Sequence, residues 1–304
     1  MTIGANGLHL PRIGLGTGLH GEVSERQSVA TIEHAMDRGV RFFDTAPLYG
    51  NGLAEERLGI ALNGVPRDSY VLNTKVGILS GGVTGGFDYD FSADGVERCF
   101  ARSLRRLRVE RIDILHLHEP EGFGEQVLAE TLPLVLRWRE QGLIRALSAG
   151  VNHWSMAEPF VEHLDCVLLA GRYTLLEQAA LAFLERQRQA RRPVLAAGIF
   201  NSGILATGPG EDARYNYLPA PGPVRDRVRR LQQVCVRHGV ELSHAAVQFV
   251  AAQPAVGSLI FGACSGAELD QALRGTRPGI PPALWEELRR EGLLDPAAPV
   301  PEPE

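Results

Sequence analysis

What most limits the folds open to this chain is a repeated unit: an amphipathic helix, a short break, then a compact apolar strand. The first unit sets the pattern. Ser24 and Gln27 have the spacing of a capping box, Val29, Ile32 and Met36 share one helical face, and Gly39 stops the helix before Val40-Arg41-Phe42-Phe43. Arg57 to Leu62 then precedes Tyr70 to Lys75, Val96 to Leu107 precedes Ile112 to His118, and Leu132 to Gln141 precedes Ala146 to Ala149. Leu164 to Ala170, Pro193 to Ala197 and Ser258 to Phe261 supply further strands, with helices near Gln178 to Arg188 and Val224 to His238. With Ile13 to Thr17 as the first, eight strands are counted. Alternation of this kind implies a parallel sheet with right-handed crossovers, and eight units close into an α/β (β/α)8 TIM barrel.

At 304 residues and 44% hydrophobic, the chain can bury one large core, and with no linker in sight residues 1–304 read as a single domain. Two long loops break the rhythm. Leu79 to Phe91, rich in glycine, follows the third strand, and Asn201 to Pro223 follows the seventh, both on the side where a barrel carries its active site. Pro281 to Glu291 reads as a C-terminal capping helix with Leu284, Trp285 and Leu288 turned inward. Residues 295–304, heavy in proline and acid, are expected to form a flexible tail.

A net charge of −5 without any basic block argues against nucleic acid or an anionic membrane as partner. Met1 to Leu10 has no leader character and no run is long enough to span a bilayer, so a cytoplasmic protein is expected. Cys99, Cys166, Cys235 and Cys264 form no Cys-x-x-Cys pair, which points away from a disulfide framework or a thiolate zinc site.

The chemistry gathers at strand ends. On the barrel, Asp44, Lys75 and His118 stand at the C-terminal ends of the second, third and fourth strands, and Tyr49 lies on the loop just past Asp44. A free tyrosine has a pKa of about 10, and a nearby ammonium favours its anion. Lys75 is the expected ammonium, Asp44 the group that keeps it charged, and His118 the residue that orients the reacting oxygen. Each has an ordinary reading as well: a turn cap for Asp44, packing for Tyr49, a solvated end for Lys75. Their joint placement on successive strands favours the chemical one.

Two rival patterns occur in the sequence. Gly16-Thr17-Gly18-Leu19-His20-Gly21 fits the Gly-x-Gly-x-x-Gly spacing, with Asp44 closing a strand beyond it as a dinucleotide-binding βαβ unit requires. The helix cap at Ser24 falls after the third glycine, however, where the fingerprint needs that glycine inside the opening turn. His116 and His118 alternate on one strand face, a metal-binding spacing, but a third ligand is lacking and no metal is expected.

Phe-Phe-Asp-Thr-Ala-Pro-Leu-Tyr-Gly around Asp44, Asn-Thr-Lys-Val-Gly around Lys75 and Arg-Ile-Asp-Ile-Leu-His-Leu-His-Glu-Pro around His118 resemble the three catalytic segments of the aldo-keto reductase superfamily. The likeness runs from Ile13 to Leu293. Ala170-Gly-Arg-Tyr-Thr-Leu-Leu-Glu-Gln, Phe200-Asn-Ser-Gly-Ile-Leu-Ala-Thr-Gly and Arg214-Tyr-Asn-Tyr resemble the branch of D-threo-aldose, L-fucose and pyridoxal dehydrogenases. The resemblance implies Tyr49 as acid/base, Lys75 as its modulator, His118 as substrate orienter and Asp44 as the partner of Lys75. It also implies a nicotinamide cofactor, with Gly16, Thr17 and Asn152 near the nicotinamide. Phe200, Asn201, Ser202 and Gly203 fall at the pyrophosphate, Gly262 and Glu268 near the adenosine ribose, and Gln271 by the adenine.

Many NADP-dependent relatives carry a lysine and an arginine where Gly262 and Glu268 stand, so NAD is favoured, with NADP the alternative. Ala272 replaces a common asparagine beside Gln271. His20, Leu48 and Arg172 are expected to touch substrate. The implied activity is oxidation of an aldose at its anomeric carbon to a lactone. Alternatives are a pyridoxal dehydrogenase or general aldehyde and ketone reductase, a regulatory cofactor-binding protein, and a Schiff-base aldolase using Lys75. The expected partner is a small sugar or aldehyde, and the chain acts as a monomer or dimer.

Overall fold

The computed structural model describes residues 2–4, 7–82 and 86–302. Eight strands, β1 (Ile13–Gly16), β2 (Phe42–Asp44), β3 (Val71–Val76), β4 (Ile112–His118), β5 (Ile144–Val151), β6 (Cys166–Ala170), β7 (Val194–Ala197) and β8 (Val256–Gly262), pair in parallel and in chain order. β8 bonds back to β1 and closes the barrel. The open-sheet alternative is thereby excluded. Around it run α1 (Glu25–Asp37), α2 (Leu53–Ala61), α3 (Ala93–Leu107), α4 (Leu132–Glu140), α5 (Leu181–Gln189), α6 (Gly222–Arg237), α7 (Leu242–Ala251), α8 (Gly266–Arg274) and α9 (Pro282–Arg290).

Successive strand residues point to opposite faces, and this parity builds the interior. Leu15, Phe43, Leu72, Leu115, Leu147 and Phe261 belong to the large cluster shared with the helices. The alternate residues Phe42, Val71, Ile114, Ala146, Leu168, Leu195 and Ile260 form a second, separate apolar cluster. A hairpin of Thr2–Ile3 and Leu8–His9 adds Ile3, Leu8 and Leu10 to that cluster and so plugs the N-terminal end of the barrel. Continuing the same parity toward the C-terminal ends gives Asp44, Lys75, His116, His118 and Asn152. The barrel interior is therefore apolar below and polar above.

Local chemistry sets the helix ends. The Ser24 hydroxyl caps α1 by accepting from the Gln27 amide at 3.2 Å. The reciprocal half of the capping box is absent, because the Gln27 side chain donates to the Cys264 carbonyl at 3.0 Å and ties α1 to the loop after β8. α5 begins at Leu181 and not at Gln178, whose side chain instead donates to the carbonyls of Thr174 and Leu175. Only short 3-10 turns, Trp154–Met156 and Glu158–His163, connect β5 to β6.

The two long loops carry structure of their own. Ile78–Gly82 pairs with Gly86–Tyr89 after β3. After β7 come a short helix, Ile204–Thr207, and a hairpin pairing Arg214–Tyr215 with Leu218–Pro219. α9 caps the chain as expected, with Leu284, Trp285 and Leu288 buried.

The segment expected to be a flexible tail is held in place over residues 295–302; 303–304 lie outside the described residues. Ala298 is buried and its carbonyl accepts from Arg289 at 2.8 Å, while the Asp295 amide donates to the Gln178 side chain. The physical reason is that alanine and valine between the prolines still have apolar surface to bury, and Val300 packs on the core.

Candidate active site

The polar upper interior centres on a buried ion pair. Lys75 Nζ lies 3.0 and 2.9 Å from the two carboxylate oxygens of Asp44 and 2.8 Å from the Thr45 carbonyl. An ammonium has three protons to donate, and these contacts use all of them. Both side chains are almost wholly buried. A glycine at position 150 makes the room, since a Cβ there would meet Lys75 Cε at 3.3 Å.

Tyr49 is brought over this pair by a tightly turned loop. Gly50, Asn51 and Gly52 follow it with φ of 59, 53 and 98°, a left-handed run suited to glycine and asparagine. The loop leads into α2, whose buried Glu55 accepts from Thr74 Oγ1 at 2.5 Å and from Arg106 Nε at 2.7 Å. Thr74 directly precedes Lys75, so the helix carrying the tyrosine loop is pinned to the strand carrying the lysine.

Gly50 also packs on Gly21 without space for a side chain: a Cβ on Gly21 would sit 2.4 Å from Gly50 Cα and 2.8 Å from its nitrogen. Both obstacles are backbone. Gly21→Ala is therefore expected to cost about 1–3 kcal/mol by overpacking and to lower turnover, because the loop that must yield holds Tyr49. Thermal denaturation and steady-state kinetics check this, and an unchanged melting temperature would show that the loops are not in contact.

Around Tyr49 the rings are ordered. His118 meets it edge-on, with centroids 6.2 Å apart, and Lys75 Nζ lies 4.8 Å from the centre of its ring. The ammonium thus faces the ring, with its donors committed elsewhere. The net effect at the phenol is nevertheless upward and not downward. Burial, followed by the negative charge of Asp44 and then Tyr217 and Glu119, pushes the Tyr49 phenol well above its ordinary value. Burial raises Asp44, with Lys75 opposing. Burial, then the charge of Lys75, holds His118 well below the usual imidazole range, so its ring is neutral. His116 is neutral for the same reasons and lies 3.7 Å from Asp44. Among the described residues no group of three or more His, Cys, Asp or Glu side chains could hold a metal ion.

The other residues singled out in the sequence separate into accessible and committed ones. Gly16 bonds in register with Asp44, and Thr17 spends both its amide and its hydroxyl on the Asp44 carbonyl at 2.8 and 3.1 Å. His20 is not a substrate contact. It is fully buried, with Nδ1 2.8 Å from Ser28 Oγ and Nε2 2.8 Å from the Ala263 carbonyl, a latch between the β1 loop, α1 and the end of β8. Asn201 likewise uses its side chain internally, accepting from Thr174 Oγ1 at 2.6 Å and donating to the Gly171 carbonyl at 3.1 Å. Only its backbone is left to offer a ligand. Leu48 is partly exposed beside Tyr49, and Arg172 donates to Asn216 Oδ1 at 3.1 Å.

Phe200 stacks near Phe261, and Asn201, Ser202 and Gly203 take successive φ of 46, 59 and 92°. Runs of this kind present backbone amides to anions. Gly262 is exposed with open space where a Cβ would be. Glu268 is exposed on α8 and accepts from the Cys264 amide at 2.8 Å. Gln271 sits within hydrogen-bond reach of Ser243 on the wall of a cavity of about 490 Å³ that also includes Gly208 and Gln232. Asn152 Nδ2 donates to Glu119 Oε1. Glu119 was missed in the sequence, although it directly follows His118 and so sits at the same rim.

A model of the aldo/keto reductase family matches residues 12–277. D-threo-aldose 1-dehydrogenase of a Pseudomonas species is 35% identical, covering 95% of this chain and 96% of that protein. Pyridoxal 4-dehydrogenase of Microbacterium luteolum is 33% identical over 96% of this chain and 97% of its own. The holo form of an aldo-keto reductase from Bacillus halodurans superposes with a TM-score of 0.81 over 99% of this chain and 97% of that one, at 22% identity. With a family model spanning most of the barrel and two dehydrogenases matched over nearly their full lengths, the chain belongs to the aldo/keto reductase family and is an NAD(P)-dependent oxidoreductase.

Proposed function

We propose that this enzyme oxidises an aldose at its anomeric carbon, with Tyr49 exchanging the proton. The observation that carries the proposal is the polar rim itself: Tyr49, His118, Glu119, Asn152 and Arg172 stand round the mouth above the Lys75–Asp44 pair. Likeness to D-threo-aldose 1-dehydrogenase supports the same substrate class.

Bound NAD(P) supplies the acceptor for the substrate's hydride. Ser202 and the backbone of Asn201 and Gly203 would hold its pyrophosphate, Asn152 the nicotinamide amide, and the cavity at Gln271 and Ser243 its adenine. The chain itself handles the proton. In the oxidative direction the Tyr49 oxygen, as phenolate, accepts the hydroxyl proton of the substrate; in the reductive direction the phenol returns it. Neutral His118 can bond the same oxygen and fix its position, while Asp44 keeps Lys75 charged against the tyrosine ring. Rates of NAD reduction over a panel of aldoses, with pyridoxal as rival, test the assignment. Turnover of pyridoxal alone would replace it.

NAD is the preferred cofactor in this reading, since the exposed Glu268 carboxylate would repel a 2′-phosphate and could accept a ribose hydroxyl. Glu268→Arg is expected to weaken NADH and tighten NADPH, moving the ratio of dissociation constants by roughly tenfold or more. Fluorescence titration of both cofactors measures it. An unchanged ratio would leave Glu268 as no more than the cap it also forms at the start of α8.

A further inference from the structure

We propose that Glu119 selects a polyhydroxylated substrate, accepting one of its hydroxyls on a free carboxylate oxygen while Tyr217 covers the mouth. This rests on the aldose reading above and names the residue that would enforce it. Glu119 holds a φ of 49°, left-handed for a residue that is not glycine, with its amide bonded to the Gly150 carbonyl at 3.0 Å. Such backbone costs about 1 kcal/mol or more and persists where surrounding structure or function requires it. One oxygen, Oε1, accepts from Asn152. Oε2 of this partly exposed side chain accepts no hydrogen bond from the described residues. The carboxylate is close enough to raise the phenols of both Tyr49 and Tyr217, and Lys75 and Arg172 are near enough to oppose its own burial.

The hairpin after β7 supplies the rest. Its tip, Asn216 and Tyr217, takes φ of 51 and 66°, where an Asn-Gly pair would be relaxed. It is pinned on both sides: the Tyr217 amide donates to Ser202 Oγ at 2.9 Å, and Asn216 accepts from Arg172. The tyrosine residue is 56% exposed, so much of its surface is free to meet a ligand at the mouth. An anionic acceptor, a guanidinium and an aromatic ring about one mouth match the hydroxyls and the C–H face of a sugar. A carboxylate oxygen left without a partner would penalise a substrate that has no hydroxyl to give it.

The test compares an aldose with its monodeoxy analogues, using NAD and native enzyme, Glu119→Leu and Glu119→Gln. In the native enzyme one deoxy position should lower kcat/KM by about 10- to 100-fold, the range for a hydrogen bond to a charged group. Glu119→Leu should impose that same loss on the parent aldose and none on that deoxy analogue, so that the two converge. Glu119→Gln, which keeps an acceptor, should retain part of the discrimination, and NAD affinity should be unchanged in both. Equal loss for the parent and every deoxy analogue, or a matching loss of NAD affinity, would mean that Glu119 acts only by holding Asn152, and would overturn the proposal. Native enzyme that turns over pyridoxal but no aldose would instead remove the substrate reading, and this subsite with it.

Discussion

Replacing Tyr49 by phenylalanine is expected to lower turnover by roughly 10²- to 10⁴-fold, the usual range for a positioned proton donor or acceptor, and to leave cofactor binding intact. The substitution is well isolated. Lys75 contacts the ring, 4.8 Å from its centre, and His118 meets the ring edge, so both neighbours persist when only the hydroxyl is removed. The native phenol is held well above its ordinary pKa by burial and then by Asp44, Tyr217 and Glu119. At neutral pH it is therefore protonated, ready to donate in reduction, whereas oxidation needs the small phenolate fraction. Native oxidation should thus speed up as pH rises, about tenfold per unit while the phenolate is the minor form, and the residual rate of the variant should lack that dependence. Steady-state rates against pH, with cofactor affinity from fluorescence, measure both. Full activity in the variant would remove Tyr49 from the chemistry.

That site was legible because its geometry is strand geometry. Asp44, Lys75 and His118 end strands whose side chains alternate strictly, and the inward parity is fixed by Phe42, Val71 and Ile114 lower down. A sequence that shows the strands shows that these groups converge. Loops obey no such period. His20 and Asn201 looked like rim residues, yet each is consumed by hydrogen bonds to segments far along the chain. Glu119 and Tyr217 are placed by left-handed backbone that no residue type announces. The N-terminal hairpin has strands too short to show a pattern, and α7, buried on nearly all sides, has no polar face to mark its period.

The ion pair beneath the tyrosine carries the other large effect. Lys75→Met keeps the length and bulk of the side chain and removes its charge, leaving Asp44 buried beside the Thr45 carbonyl with no cation. Breaking a buried pair from one side costs about 3–5 kcal/mol, and activity should fall with it, since the charge that faces Tyr49 is gone. The sign of the pH effect follows from Asp44. Burial already raises its pKa and Lys75 alone among charged groups holds it back, so in the variant the carboxyl binds a proton more tightly when folded than when unfolded. The native state of the variant then carries more protons than its unfolded chain, and its stability falls as pH rises from the unfolded carboxyl range through the raised folded value. Denaturant unfolding at mildly acidic and at alkaline pH should show the variant nearer to the native enzyme in acid. Asp44→Asn added to Lys75→Met should recover much of the stability, flatten that dependence and leave the enzyme inactive, because a neutral amide needs no counter-charge while the ammonium that faced the tyrosine is still missing. A double variant as unstable as Lys75→Met at alkaline pH would show that packing, and not the stranded carboxylate, sets the loss.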